Sequence, residues 1–218
     1  MTVVYDIETC PLPLGSLTDR QARRLEIEGA RVAEREPELS LNEAVRKAGA
    51  LHAQIGWVCC VSFAVLNPDR SVADVTSVTA DRPGAEADLL RDFWAMMEIG
   101  QTAHAVTFNG KWFDAPFLRY RSLYQQVPLP AAACVVLDTH RWRDRPHLDL
   151  AHVVSPVRVG LDDLCEDLGV PSPKHSMSGK GVSHAVEQGR IDEVARYCED
   201  DVVATAHCYR ALHDLRQI

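Results

Sequence analysis

The segment TVVYDIETCP, residues 2–11, sets the first constraint on how this chain can fold. Thr2, Val3, Val4, Tyr5 and Ile7 favour a pleated, half-buried surface and predict a strand over residues 3–8. Two carboxylates, Asp6 and Glu8, stand inside it. An ionised carboxylate in a buried strand is costly unless a hydrogen-bond partner or a metal accompanies it. Side chains alternate faces along a strand, so residues two apart point the same way. The fold must therefore bring to one face something that tolerates two negative charges.

The rest of the chain reads as one α/β domain over its 218 residues, with 46% hydrophobic and 25% charged content suited to a sizeable core. After the first strand, residues 11–54 form a polar helical insertion, with helices predicted over 20–35 and 41–52. Residues 54–66 read as a long apolar strand, and residues 71–79 as its antiparallel partner across the turn NPDR. A helix follows over 85–99 with Gly100 as its stop, then a strand over 103–108 that ends at Asn109-Gly110. A helix is expected over 114–125 and a short strand over 134–137. The last third is mostly helical, with an apolar stripe at Leu161, Leu164, Cys165 and Leu168 and a final helix over 191–215. A meander followed by alternating helices and strands predicts a mixed sheet flanked by helices.

Composition narrows the function classes. The net charge of −8 argues against a protein that coats nucleic acid through a broad basic face. The charge is uneven, because residues 105–180 carry a balance of +1 and the remainder −9. The middle of the chain is thus permissive for a phosphate backbone. No apolar run of about 18 residues predicts a membrane span, and no secretory signal pattern opens the chain. Seven cysteines without a CxxC pair read as buried, reduced thiols of a cytoplasmic protein.

Two further carboxylates join the pair on the first strand. Asp114 closes TFNGKWFD, where a strand breaks into a turn and then a helix. Asp201 lies four residues after Tyr197 in YCEDDV, so the phenol and the carboxylate share one helical face. Oxygen donors of this kind suit hard divalent cations, Mg²⁺ or Mn²⁺, and two such ions can clamp both oxygens of an in-line phosphoryl displacement.

These residues resemble the motifs of the DEDD superfamily of 3′–5′ exonucleases, which has a ribonuclease-H-like fold. DIE at 6–8 is similar to the first motif, Asn109 to Asp114 to the second, and Tyr197 to Asp201 to the tyrosine form of the third. Arg196 stands where the histidine form needs a histidine. The nearest resemblance is to the proofreading-type exonucleases of family-B DNA polymerases, supported by HLDL at 147–150, LDDLCEDLGVPSPK at 161–174 and SGKGV at 178–182. The resemblance implies a two-metal site in which Asp6 bridges both ions. Glu8 and Asp201 complete the first site, and Asp114 holds the second. It implies that Tyr197 orients the attacking water, that Asn109 seats the terminal nucleotide, and that nucleoside 5′-monophosphates leave from a 3′ end.

Weaker candidates surround these five. Phe108, Trp112 and Phe113 flank the second motif, where an aromatic ring can stack on terminal bases or serve the core. Lys174 and Lys180 lie in a Ser- and Gly-rich loop suited to gripping phosphate or to plain solvation. Arg141, Arg143 and Arg145 form a basic stretch, Asp138 and Asp149 are outer-shell or structural acids, and His147 reads as structural. The expected substrate is the 3′ end of single-stranded DNA, because a paired end must first be unpaired. The alternatives are an exoribonuclease and, with little support given the complete motif set, a non-catalytic nucleic-acid-binding or scaffold protein. The helical insertion reads either as a partner-binding surface or as a clamp over the substrate channel.

Overall fold

β1 (Thr2–Pro11) forms where the β-branched and aromatic residues predict it, and it becomes the central strand of a five-stranded sheet. The computed structural model describes residues 1–140, 143–173 and 179–218, with the Lys180 side chain outside the description. The chain continues through α1 (Asp19–Arg35) and α2 (Leu41–Leu51) to β2 (Gly56–Leu66), β3 (Val72–Thr79), α3 (Glu86–Ile99) and β4 (His104–Thr107). α4 (Asp114–Tyr124), α5 (Ala133–Val136), β5 (His147–Asp149) and α6 (Leu150–Val153) follow, then α7 (Leu161–Leu168), α8 (Gly179–Glu187) and α9 (Ile191–Asp214). The sheet order is β3-β2-β1-β4-β5; β1, β2 and β3 run antiparallel in turn, and β4 and β5 are parallel to β1. This is the mixed, helix-flanked ribonuclease-H-like architecture that the motifs imply.

Each face of the sheet carries its own apolar core. Val3, Tyr5 and Ile7 of β1 join Phe93 and Trp94 of α3 and Phe117 and Leu118 of α4 on one side. Val4 joins Leu164 and Cys165 of α7 and Val202, Tyr209 and Leu212 of α9 on the other. Asp6 and Glu8 follow Val4 at period two, so they lie on the face that α9 covers. The insertion folds as two helices, each begun by a capping box, Thr18 with Gln21 and Ser40 with Glu43, and it carries a small core of Leu25, Ala48 and Ile55. No helix among the described residues is long and apolar enough to cross a membrane.

Three sequence expectations need correction. Residues 134–137 are not a strand; the chain turns helically at Ala133–Val136, with Ala133 N–H donating to Pro130 O. A four-residue apolar run carries no periodicity that separates the two states. The fifth strand is instead His147–Asp149, paired through Ala105, Val106 and Thr107 of β4, and its polar ends hid it. Lys180 lies in the first turn of α8, which starts at Gly179, instead of in a loop. Finally, the seven cysteines are free, yet Cys134 is exposed, because α5 turns it outward.

A buried ion pair knits the helices of one face. Arg121 of α4 donates from Nε to Glu86 Oε1 at 2.9 Å and from Nη2 to Glu86 Oε2 at 2.6 Å, and neither residue is exposed. Val58 N–H also donates to Glu86 Oε1, and Arg121 Nη1 reaches Ala53 O, so the start of β2 joins the network. Arg121→Met strands the Glu86 carboxylate and is expected to cost ~3–5 kcal/mol in urea unfolding. Adding Glu86→Gln should recover part of that loss, whereas strictly additive costs would show that the pair is uncoupled.

His147 is equally buried. Its Nδ1 meets the carbonyl of Asp138 at 2.9 Å, which can only accept, so Nδ1 carries the proton and Nε2 accepts from Thr107 Oγ1 at 2.8 Å. Burial, with Lys111 nearby, pushes its pKa from 6.5 to about 3. The unfolded chain therefore binds the extra proton below pH 6.5. The stability contributed by the neutral ring is complete above that pH and is lost as pH falls toward 3. Between pH 8 and pH 5 the loss amounts to ~2 kcal/mol. His147→Gln should lack that increment when unfolding free energies at the two pH values are compared; equal falls in both proteins would refute the assignment.

Candidate active site

The site is built where β1, the β4–α4 turn and α9 converge. β1 delivers Asp6 and Glu8 half-buried on the α9 side. A β-bulge between Glu8 and Thr9 sets two residues of β2 against one of β1 and leaves Cys59 without a register partner. Bulges bend a strand and re-aim its side chains, and this one sits at the carboxylate pair. Cys59 Sγ donates to Glu8 O at 3.3 Å, which ties the bulge to that residue.

The second motif turns tightly out of β4. Asn109 takes the left-handed conformation at φ 64°, which asparagine tolerates. Gly110 is required by space, since a Cβ there would meet the Thr107 Cβ at 2.5 Å. Trp112 and Phe113 N–H donate back to Asn109 O, and α4 then starts at Asp114. Asp114 is buried, and its Oδ1 accepts from Ile7 N–H at 3.1 Å, so the second motif is hydrogen-bonded directly to the first.

α9 brings the third motif. Its apolar stripe of Val194, Cys198, Val202, Thr205 and Tyr209 packs inward and places Tyr197 and Asp201 at the edge of a cleft of ≈ 340 Å³. Asp6, Phe108, Gly160, Leu161, Asp162, Asp163 and Thr205 complete that cleft. The Tyr197 hydroxyl hydrogen-bonds the Asp201 carboxylate. Asp200, the neighbouring acid, is exposed and does not line the cleft.

The electrostatics follow from crowding. Burial first, then the charges of Asp114, Glu8 and Asp201, raise the Asp6 carboxyl well above its usual range. Burial, then Asp201, does the same to Glu8. Burial lifts Asp114 to about 7, even though its carboxyl also hydrogen-bonds that of Asp6. A hydrogen bond between two carboxyls needs a proton on one of them, so the pair titrates as a unit. Burial and the Asp201 charge push the Tyr197 phenol up as well, so it stays protonated near neutrality. The donor set fits hard divalent cations: four carboxylates from three elements affect one another electrostatically and would lose that strain on coordinating an ion.

The structure brings Asp6, Glu8, Asp114, Tyr197 and Asp201 within electrostatic or hydrogen-bond reach of one another. The Asn109 side chain is exposed at the tip of its turn. Phe113 packs on Phe117 with ring centroids 5.5 Å apart, and Trp112 is exposed. Lys174 and Arg141 lie outside the described residues, and Lys180 is placed only by its backbone in α8. Two participants escaped the sequence reading. Cys198 donates to Asp6 Oδ2 at 3.4 Å, and its donor atom lies within 4.8 Å of those of Asp6 and Glu8. Its position three residues before Asp201 carried that signal. Leu161 and the acids after it enter from α7, for which no local pattern pointed to the cleft.

Comparison with known proteins gives a family and a fold. Residues 50–217 match the family described as "Predicted 3'-5' exonuclease related to the exonuclease domain of PolB". The matched stretch holds Asp114, Tyr197 and Asp201 and stops short of Asp6 and Glu8. The family B DNA polymerase of the hyperthermophilic archaeon Pyrobaculum calidifontis has a similar fold, with a TM-score of 0.61 at 16% identity over 99% of this chain. The likeness covers 24% of that polymerase, so the chain spans about a quarter of its length. No curated protein matches the sequence. The chain belongs to the family of predicted 3′–5′ exonucleases related to the exonuclease domain of PolB.

Proposed function

We propose that residues 1–218 act as one exonuclease domain of the DEDD type with a tyrosine in the third motif, removing nucleoside 5′-monophosphates from the 3′ end of single-stranded DNA. The observation that carries this reading is the convergence of Asp6, Glu8, Asp114 and Asp201 beside Tyr197. Asp6, Glu8, Asp114 and Asp201 would hold divalent cations, Mg²⁺ or Mn²⁺, whose positive charge would activate water and steady the departing 3′ oxygen. Tyr197 keeps its proton and is oriented by Asp201, so it serves as a hydrogen-bonding guide for the water and not as a general base.

The cleft supports the substrate assignment in kind. Phe108 and Leu161 give the cleft apolar lining suited to a nucleobase, while the exposed Asp162 and Asp163 disfavour a phosphate beside them. In this reading Asn109, exposed on its turn, seats the terminal nucleotide, and Phe113, Lys174 and Lys180 are the remaining substrate contacts.

Two experiments test it. On 5′-labelled single-stranded DNA with Mn²⁺, the wild type should shorten the 3′ end and EDTA should stop it. Asp6→Ala and Asp201→Ala should lose at least ~10³-fold in rate, equivalent to about 4 kcal/mol, and Tyr197→Phe about 10²-fold with KM unchanged. Faster trimming of RNA would move the substrate to the ribonucleic class, and unimpaired variants would show that other residues carry the chemistry. In thermal unfolding, Mn²⁺ at 100 times its Kd should raise the wild-type Tm by ~5–10 °C. Asp6→Asn should melt higher than the wild type without metal, because it relieves like-charge repulsion, and should gain nothing from Mn²⁺. A Mn²⁺ shift that survives Asp6→Asn would place the ion elsewhere.

A further inference from the structure

The acid that ends β5 has no part in the chemistry above, yet its hydrogen bonds go to the second motif. Asp149 is 1% exposed. Its Oδ1 accepts from Asn109 N–H at 2.7 Å and from Ala151 N–H at 3.1 Å, and its Oδ2 accepts from Lys111 N–H at 3.0 Å. The register explains the reach: Asp149 pairs with Thr107, the last residue of β4, so its side chain lies beside the turn that follows. Both oxygens of one buried carboxylate therefore grip two amides that flank Gly110, inside a turn whose first residue sits at φ 64°. Those amides have no partner in a helix or a ladder, and a buried N–H left without an acceptor costs ~1–3 kcal/mol. The turn ends at Asp114, where the charge of Asp149 is felt.

We propose that Asp149 is a positioning residue that holds the turn 109–111 in the shape that carries Asp114 to the other three carboxylates, an inference that rests on the exonuclease reading. Lys111 extends the same brace. It is buried, and its Nζ donates to His140 O at 3.0 Å and to Arg143 O at 2.5 Å, so the turn is held on its far side as well. Asp149→Asn is nearly isosteric, but its amide can present only one acceptor atom, so a donor must face either Asn109 or Lys111. Partners that orient metal ligands typically matter by 10–100-fold in metal affinity or rate.

The test compares wild type and Asp149→Asn at a temperature where both are folded. Mn²⁺ affinity is read by calorimetry, and kcat and KM on single-stranded DNA are read in parallel. The expected result is a ~10–100-fold weaker Mn²⁺ Kd and a similar fall in kcat with KM for DNA within about twofold. Equal Mn²⁺ affinity and equal kcat, with only a lower Tm, would make Asp149 structural and overturn the proposal. In the wild type itself, amide hydrogen exchange should show Asn109 and Lys111 protected, and exchange at the rate of an open loop would overturn it without any variant. A wild type that neither binds Mn²⁺ nor shortens DNA would instead defeat the exonuclease reading beneath it.

Discussion

Like charges held a few ångströms apart are the constraint on which the rest of this molecule depends. Two carboxylates about 4 Å apart repel by ~4 kcal/mol at an effective dielectric near 20, and burial removes the water that would soften this. Asp6 and Glu8, Asp114, and Asp201 arrive from three elements that are distant in sequence, so rigid parts must hold them together. β1 is paired on both sides, by β2 and by β4. Asp114 is fixed by an amide of β1, and Asp201 rides on a 24-residue helix anchored by its buried stripe. The raised carboxyl pKa values are the electrostatic trace of that confinement, which protons or cations relieve.

Register is the second requirement. A slip of one residue between β1 and β2 would turn Asp6 and Glu8 to the apolar face of Phe93 and Phe117. The observed register sets Asp6 against Ser62 and Glu8 against Cys60. The family match begins at residue 50, so the strand that holds the first two acids lies outside it while its pairing partner lies inside. The helical insertion between them leaves the sheet intact because its ends are close and it carries its own caps and small core. Its packing on β1 through α2 makes it a neighbour of the strand that carries Asp6 and Glu8, not a separate appendage.

Much of this was legible in the sequence, for a physical reason. Period-two and i,i+4 spacings are local rules, and they alone put Asp6 with Glu8 and Tyr197 with Asp201. Long elements with strong periodicity, such as α9 and β2, follow the same logic. What could not be read was decided by long-range contacts. Residues 134–137 turned helical because α5 packs under β4, with Tyr5 O–H donating to Val136 O, and three polar-ended residues became β5 because β4 offered a free edge. Asp149 stood out in HLDL, but only the β4–β5 register reveals which amides it holds. The stripe at Leu161, Leu164, Cys165 and Leu168 was legible, but not that α7 walls the cleft, since its place there depends on how α7 docks on α9.

The two cores divide the work unequally. On the face of α3 and α4, aromatic packing and the buried Glu86–Arg121 pair stabilise the sheet, and the N-terminus of α4 supplies Asp114. On the other face, α9 joins the apolar core to the carboxylates, so Val202 packs in the core one residue after Asp201 lines the cleft. Packing there fixes geometry as much as it stabilises. A cavity beside Val202 would shift Asp201 by a fraction of an ångström before it unfolded anything, and positioned chemistry is sensitive on that scale. The acids of this site are held by their apolar neighbours, and the repulsion among them is the strain those neighbours must withstand.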